Sequence, residues 1–399
     1  MKKILFINSA YNFGSSASII KLLGGESRKT FEVYFAIGRN DKLPSSNNYF
    51  KINSRLDFLF HTFLSRIFDS EGLHSFFSTY KLINYIKKIK PDIINLHNIH
   101  GHYLNYPLLF KFLKRNSKIK IYWTLHDSWA YTGHCAYYLK VNCNKFETFC
   151  SKCPNKHQYP KSYLIDRSKR NFILKKKSFS GLNNLEIIVP SLWLKYEVKK
   201  SFLKSYNIHL IYNGTEINNN FVEKDNTNFG IFLEPNIKYI LGVASKWEER
   251  KGLRFFYDLA PLLNKEYKII IIGKVENKLN YANVIFVDSI SSKLQLSYFY
   301  KNSFVFLNPT LEDNFPTTNI EALASGLPVI TFDTGGSPEA IDKSSGIIIK
   351  DRNAMSIFNA IKSISAHPNQ YSKENCFNRA IQFTNLVMAR NYINLFSGV

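Results

Sequence analysis

The chain has 399 residues, 45% of them hydrophobic, with 33 Phe, 24 Tyr and a net charge of +23. That apolar content excludes disorder as the main state, and the length calls for two cores rather than one. No apolar run approaches the roughly 18 residues of a membrane span, and MKKILFINSA breaks at Asn8, too early for the ~7–15-residue apolar region of a signal peptide.

Short apolar runs alternate with amphipathic stretches along the whole chain, the pattern of an α/β protein with parallel strands. In the first half the expected strands are Ile4–Asn8, Phe31–Ile37, Ile93–Leu96, Ile119–Leu125 and Leu185–Val189. Helices are expected over Tyr80–Lys90, stopped by Pro91, and over Tyr103–Lys114. A polar, Asn-rich segment from Asn213 reads as a linker over 213–236. A second strand series follows at Tyr239–Val243, Lys268–Ile272, Val284–Phe286, Phe304–Leu307 and Val329–Phe332. The expected architecture is two doubly wound domains, residues 1–212 and 237–380, with ligands at the cleft they face, because open parallel sheets bind at their strand carboxyl ends.

Charge is distributed unevenly between the halves. Residues 1–200 hold 33 basic and 12 acidic side chains, or +21, which leaves only +2 for the remainder. The basic half should therefore face something anionic: nucleic acid, a phospholipid surface or a phosphate-bearing substrate. A genome-wide bias toward Lys codons is the plainer alternative, but it would not leave the second half neutral.

Five segments carry potential chemistry. The loop NSAYNFGSSA, with Gly14, Ser15 and Ser16, joins a strand to a helix; it is either an anion site at a helix N-terminus or a plain turn. WTLHDSWAYTGHC places His126 and Asp127 just past a strand, where an imidazole can exchange a proton or bind a hydroxyl. In NLHNIHGHY, His97, His100 and His102 cluster without an adjacent carboxylate, so they read as lining for an acceptor rather than as metal ligands. SKWEERKG sets Arg250 and Lys251 at a strand-to-helix turn, as diphosphate ligands or as a solvated helix start. Finally, NPTLEDNFPTTNIEALASGLPVIT carries Glu312, Asp313, Asn314, Phe315, Pro316, Thr317 and Thr318 in a loop, then Glu321 on a helix. Its amides can face a phosphate while Glu321 grips a ribose diol, and DTGGSP forms a second Gly-rich turn before a helix.

Cys135, Cys143, Cys150 and Cys153 follow one another as C-x7-C-x6-C-x2-C within an insertion at 133–160, and Cys376 lies apart. Without an export signal the compartment reads as reducing, so these are either four ligands of one structural zinc or packed thiols.

Taken in order, MKKILFIN, NLHNIHGHY, TLHDSWAYTGHC, VPSLWL, IYNG, GVASKWEERKG, EDNFPTTNIEALASGLPVI and TGGSPE make the chain resemble the retaining glycosyltransferases of family 4, of GT-B fold, in their bacterial exopolysaccharide (colanic-acid-type) and O-antigen branch. The likeness spans nearly the whole chain. It implies an acceptor domain first, a nucleotide-sugar domain second, and a C-terminal helix at 381–399 crossing back to the first. Lys251 and Arg250 would hold the diphosphate of a UDP- or GDP-sugar, Glu321 the ribose, and Asp313 the first acid of the family's E-x7-E pattern. His126 would touch the donor sugar, and Gly14 with its serines would approach the phosphates. Two departures stand out: Ser245 replaces a frequent Arg, and Asp313 is one methylene short of Glu, with Glu312 beside it.

The resemblance implies transfer with retention by front-side substitution, without a catalytic metal. Acceptors of this branch are commonly lipid-pyrophosphate-linked sugars, which implies a cytoplasmic enzyme at the inner face of the membrane. Lys161–Lys177, with seven basic residues and one acid, is the expected contact with anionic lipid. Two rivals are a GT-B nucleotide-sugar 2-epimerase, which needs no large acceptor surface, and a basic nucleic-acid-binding protein, which leaves EDNFPTTNIEALASG without a purpose.

Overall fold

The computed structural model describes residues 1–39, 41–217, 233–290 and 292–398. They form two compact units: Met1–Tyr212 together with Met388–Val399, and Asn213–Val387. Most of the linker expected at 213–236 lies outside the described residues. Of its described part, Thr215 belongs to the second unit, its amide donating to the Phe383 carbonyl (3.0 Å) and its carbonyl accepting from Asn385 (2.9 Å).

The first unit is built on seven strands: β1 (Lys3–Asn8), β2 (Glu32–Ile37), β3 (Tyr49–Lys51), β4 (Ile93–Leu96), β5 (Lys120–Thr124), β6 (Leu185–Val189) and β7 (Ile208–Leu210). All pairs are parallel, in the order β3-β2-β1-β4-β5-β6-β7. A strand covered on both faces must be apolar throughout, and Ile4, Leu5, Phe6 and Ile7 of β1 are fully buried. The strand order reverses between β1 and β4, so the loops leaving Asn8 and Leu96 open side by side, where such sheets bind ligands.

The second unit has six parallel strands: β8 (Lys238–Lys246), β9 (Tyr267–Lys274), β10 (Val284–Val287), β11 (Val305–Asn308), β12 (Val329–Phe332) and β13 (Gly346–Ile349). Their order is β10-β9-β8-β11-β12-β13, reversing between β8 and β11. The loops after Lys246 and Asn308 thus emerge at this sheet's own switch point.

Local chemistry sets the helix boundaries. The helix expected from Tyr103 starts at Tyr106, because the Asn105 side chain accepts from the Leu108 amide (2.9 Å) and Pro107 sits in the first turn. The one expected from Tyr80 starts earlier, at Phe76, and stops at Ile89. Lys90 turns left-handed at φ 52°, since a residue before proline is pushed out of the helical region. The C-terminal helix runs Asn385–Ser397, and its Met388, Tyr392 and Phe396 are buried in the apolar cluster of the first unit that holds Phe6, Phe31 and Ile188.

Candidate active site

In the second unit, the turn after β8 and the loop after β11 are locked together. Gly252 has φ 77°, and a Cβ there would lie 2.0 Å from the Pro309 carbonyl oxygen, so only glycine lets the two segments touch. Across this contact the Arg250 carbonyl accepts from the Leu311 amide (2.7 Å) and the Thr310 hydroxyl (3.2 Å). The Arg250 guanidinium donates to the Glu312 carbonyl (3.3 Å), and Lys251 Nζ donates to Asp313 Oδ2 at 2.6 Å. Burial alone would raise the Asp313 carboxyl, but the Lys251 and Arg250 charges outweigh it and hold it below the usual carboxylate range. An ammonium has three donors and the Asp313 bond uses one. Two cations and a carboxylate thus stand at the sheet's switch point.

Asn314, Phe315 and Pro316 lead from this pair into the helix Thr317–Ala324, where Thr317 and Thr318 fill the first turn, whose amides lack intrahelical acceptors. That end is a ready anion site. One turn on, Glu321 Oε2 accepts from the Tyr300 hydroxyl (3.2 Å). Burial raises its carboxyl above the ordinary value, against the hydrogen bonds from Tyr300 and Thr317. Glu312 itself is buried at 5% exposure, so it is poorly presented as a substitute for Asp313. Ser245 lies within β8, which continues past its expected end at Val243 to Lys246, and is exposed.

A buried polar network fixes this helix, and sequence reasoning missed it. Asn319 accepts from Asn308 Nδ2 (2.7 Å) and donates to the Ser337 carbonyl (3.0 Å), while the Thr331 and Ser337 hydroxyls lie 2.7 Å apart. The DTGGSP turn therefore serves as an anchor: Gly336 N donates to the Asp313 carbonyl (3.2 Å), and a short 3-10 turn, Ser337–Ala340, stands where a helix was expected. Tyr300, the partner of Glu321, was also missed; a Tyr on an amphipathic helix gives no signal by itself.

In the first unit, Gly14 precedes the helix Ser15–Ser27, and its carbonyl accepts from Ala17 (3.1 Å) and Ser18 (3.3 Å). Ser15 is exposed, whereas the buried Ser16 hydroxyl accepts from Asn98 Nδ2 (3.1 Å), tying the loops after β1 and β4. Asp41, absent from the sequence reasoning, fastens the loop by accepting from the Tyr11 (2.6 Å) and Asn12 (2.8 Å) amides.

The three clustered histidines have three different partners. His97 is fully buried, which corrects its expected role as acceptor lining. Asn95 Nδ2 donates to the Tyr122 carbonyl (3.0 Å), so its Oδ1 accepts from His97 Nε2–H (2.7 Å). His97 Nδ1 is then an acceptor, and it receives His126 Nε2–H at 2.9 Å. Burial holds His97 well below its ordinary pKa and pushes His126 down to about 4. At neutral pH His126 is a neutral imidazole with Nε2–H committed inward, so proton donation, one of its expected uses, gives way to hydrogen bonding. His100 Nε2 pairs with Asp127 Oδ2 (3.0 Å), and its ring stacks on Trp129 at 5.1 Å; both are occupied by each other rather than presented to an acceptor.

His102 pairs with a carboxylate that comes from elsewhere in the chain, Glu71. With His61 they form a three-donor group within 4.8 Å of one another. His61, however, bonds the Ser75 hydroxyl (2.8 Å) through Nδ1 and accepts the Gly72 amide (3.1 Å) through Nε2, leaving no lone pair for a metal. This cluster braces the loops around it.

Two parallel doubly wound units, the second with paired cations, a helix N-terminus and a buried carboxylate at its switch point, define a glycosyltransferase of the GT-B type. The family model for Glycosyltransferase Family 4 matches residues 28–219 and that for Glycosyl transferases group 1 matches residues 237–367. The chain belongs to this family of glycosyltransferases. It is 24% identical over 328 residues to WcaC of Escherichia coli K12, assigned as a colanic acid biosynthesis glycosyl transferase, covering 78% of each chain. It is 23% identical over 157 residues to the N,N'-diacetylbacillosaminyl-diphospho-undecaprenol alpha-1,3-N-acetylgalactosaminyltransferase of Campylobacter jejuni, covering 37% of this chain and 42% of the other. Among solved structures, HepE of Anabaena in complex with UDP-glucose superposes with a TM-score of 0.63 at 14% identity, covering all of both chains.

Proposed function

We propose that this enzyme transfers a sugar from a nucleoside-diphosphate sugar to a lipid-linked saccharide in surface-polysaccharide synthesis, with retention at the anomeric carbon. The observation that carries the donor assignment is the Lys251–Asp313 pair joined across Gly252 to the N-terminus of the Glu321 helix. Lys251, Arg250 and the amides of Thr317 and Thr318 take the diphosphate. Glu321 accepts from the ribose hydroxyls. In the first unit, His126 is the residue proposed to contact a sugar hydroxyl, its ring oriented by the bond to His97.

As the anomeric bond breaks, negative charge grows on the diphosphate, and these fixed donors stabilise it, the term that usually dominates catalysis. No carboxylate in the group stands as an evident nucleophile, so the acceptor hydroxyl attacks from the face the diphosphate leaves, passing its proton to a departing phosphate oxygen. The polysaccharide and diphospholipid assignments are supported by the names of the E. coli and Campylobacter relatives.

A second feature supports a lipid-linked acceptor. The helix Arg55–Phe68 buries only His61 and Ser65, while Leu56 (79%), Phe60 (60%) and Phe63 (62%) are exposed. Ser75 and Ser78 bond His61 and Asp57, which places the exposed Phe76, Phe77 and Tyr80 alongside. Tyr163 N donates to the Arg66 carbonyl (2.7 Å), adding exposed Tyr163 and Leu164. Arg55 and Arg66 lie on the helix Arg55–Phe68, and the Arg167 guanidinium stands 5.4 Å from the Phe68 ring. An apolar face bordered by cations suits an anionic bilayer surface. Of the basic residues interleaved with apolar ones over Lys161–Lys177, expected to meet anionic lipid, Lys175 is buried and cannot contribute, and the helix there starts only at Ser168. No described helix is long and apolar enough to cross a membrane.

The test is calorimetric titration with UDP, GDP and ADP, then assay of labelled sugar donors with lipid-linked acceptor extracts. Selective binding of one diphosphate, lost in Lys251→Ala and Glu321→Ala, with a new glycosidic product, is expected. Epimerised donor without product, or equal binding by the variants, refutes it. Sedimentation with phosphatidylglycerol vesicles should be lost in Phe60→Asp/Phe63→Asp.

A further inference from the structure

The segment between β5 and β6 contains a second constellation that the transfer chemistry does not use. Cys135, Cys143, Cys150 and Cys153 are free thiols, and all four line a single pocket together with His134, Phe146 and Ser168. His134 also faces this pocket. Its Nδ1 is bonded to the buried Asp69 carboxylate at 2.5 Å, so it carries the proton, and its Nε2 is buried without any hydrogen-bond partner. Side-chain exposure of His134 is 1%. An unpartnered polar atom so deeply buried asks for an explanation. Close to the same thiols lies Lys175, at 1% exposure, donating to the Trp129 (2.6 Å) and Thr132 (3.1 Å) carbonyls. A buried ammonium is costly unless negative charge stands nearby.

We infer that Cys135, Cys143, Cys150 and Cys153 bind one structural zinc ion as four thiolates, with the buried His134 ring and the Lys175 ammonium in its surroundings. Binding releases the four thiol protons to solvent and leaves a zinc–tetrathiolate unit of net charge −2, with no change of oxidation state. A positive neighbour answers part of that charge: the Lys175 ammonium is held on the carbonyl of Thr132, which lines the same pocket. Cys150 and Cys153 have the two-residue spacing of zinc knuckles, with Lys152 at φ 47° between them, and the other two ligands are supplied from upstream. The ion also supplies what the segment lacks. Between Cys135 and Cys153 the only regular structure is two 3-10 turns, Leu139–Val141 and Lys145–Glu147. The sulfurs stand wider than a closed tetrahedron requires, since among the described residues only His61, Glu71 and His102 form a three-donor group within 4.8 Å. Zinc–sulfur bonds of about 2.3 Å would draw the turns inward over the pocket.

The full-length protein, purified without added metal, should contain one zinc per chain by elemental analysis. Cobalt exchanged for zinc should give sulfur-to-metal charge-transfer and tetrahedral visible bands. Cys143→Ser and Cys150→Ser should lose the metal, and Cys376→Ser, which is not among the pocket-lining residues, should keep it. His134→Ala should retain one zinc but lose it to a competing chelator roughly 10–100-fold more readily. Because the cysteine variants can fail to fold, alkylation of the wild type is the second measurement: the four thiols should be protected until a chelator is added. Metal-free protein whose four thiols alkylate freely, or a Cys135–Cys153 disulfide by mass spectrometry, overturns the inference.

Discussion

Gly252→Ala is the most informative perturbation of the donor site. At φ 77° an alanine pays the left-handed cost of about 1–2 kcal/mol. Its Cβ would also stand 2.0 Å from the Pro309 carbonyl, backbone that cannot swing aside as a side chain can. Relief requires the turn and the loop to part by more than an ångström, which breaks the bonds from Leu311 and Thr310 to the Arg250 carbonyl, each worth ~1 kcal/mol. The expected loss is about 3–4 kcal/mol from the second unit. Gly181 is the control: it has φ 78° with nothing within 4 Å of where a Cβ would stand, so Gly181→Ala should cost only the left-handed ~1–2 kcal/mol. Differential scanning calorimetry that resolves the two units, with nucleoside-diphosphate titration, measures both effects. Equal losses in the two variants, with nucleotide binding intact in Gly252→Ala, would refute the close-approach argument.

Other outcomes follow from the same geometry. Lys251→Ala should weaken nucleoside-diphosphate binding about 10–100-fold, as for a lost charge-assisted bond, and adding Asp313→Asn should recover part of the stability by removing the stranded carboxylate, as denaturation of the single and double variants would show. The depressed Asp313 group contributes stability that is full above its unfolded value near 3.8 and lost as pH falls through its lower folded value; in Lys251→Ala this acid-side loss should shrink. Glu321 is raised, so its carboxylate, the form that accepts from a diol, is lost on acidification from above 4.5. Nucleotide affinity should therefore fall as pH drops through that range, Tyr300→Phe should move the fall to higher pH, and Glu321→Gln should bind weakly without it. Asn95→Leu removes the acceptor that sets the His97 tautomer; kcat should drop roughly tenfold, the value of one hydrogen bond, with donor KM unchanged in steady-state assays.

The central strands were legible because parallel strands covered on both faces are written as unbroken apolar runs, as in Ile269–Ile272, all nearly or fully buried. Three strands escaped the sequence reading, Tyr49–Lys51, Ile208–Leu210 and Gly346–Ile349; all are at sheet edges, short and only partly buried, and the last was passed over although its three isoleucines form an apolar run. Lys251, Asp313 and Glu321 could be singled out from their strand-end and helix positions, but not that Lys251 and Asp313 bond each other, because that depends on a glycine's approach to a carbonyl 57 positions away. Asn319 and Asp41 act through backbone amides and buried amide chains, which leave no spacing pattern. Nor could the sequence show that the helix Arg55–Phe68 turns its aromatic face outward, since periodicity reports that a face is apolar and not what covers it.

The first unit takes its last helix from beyond the second, so residues 213–387 are, in chain order, an insertion into it. On a ribosome this imposes a schedule. Its sheet can pair as soon as Leu210 has emerged, yet the apolar surface around Phe6, Phe31 and Ile188 stays uncovered until Met388, Tyr392 and Phe396 have been made. The second unit, whose chain is continuous, can close first. Nascent chains arrested after residue 387 should therefore pair a finished second unit with a first unit that is still sticky and sensitive to protease, and they mark the stage at which a chaperone would be most needed.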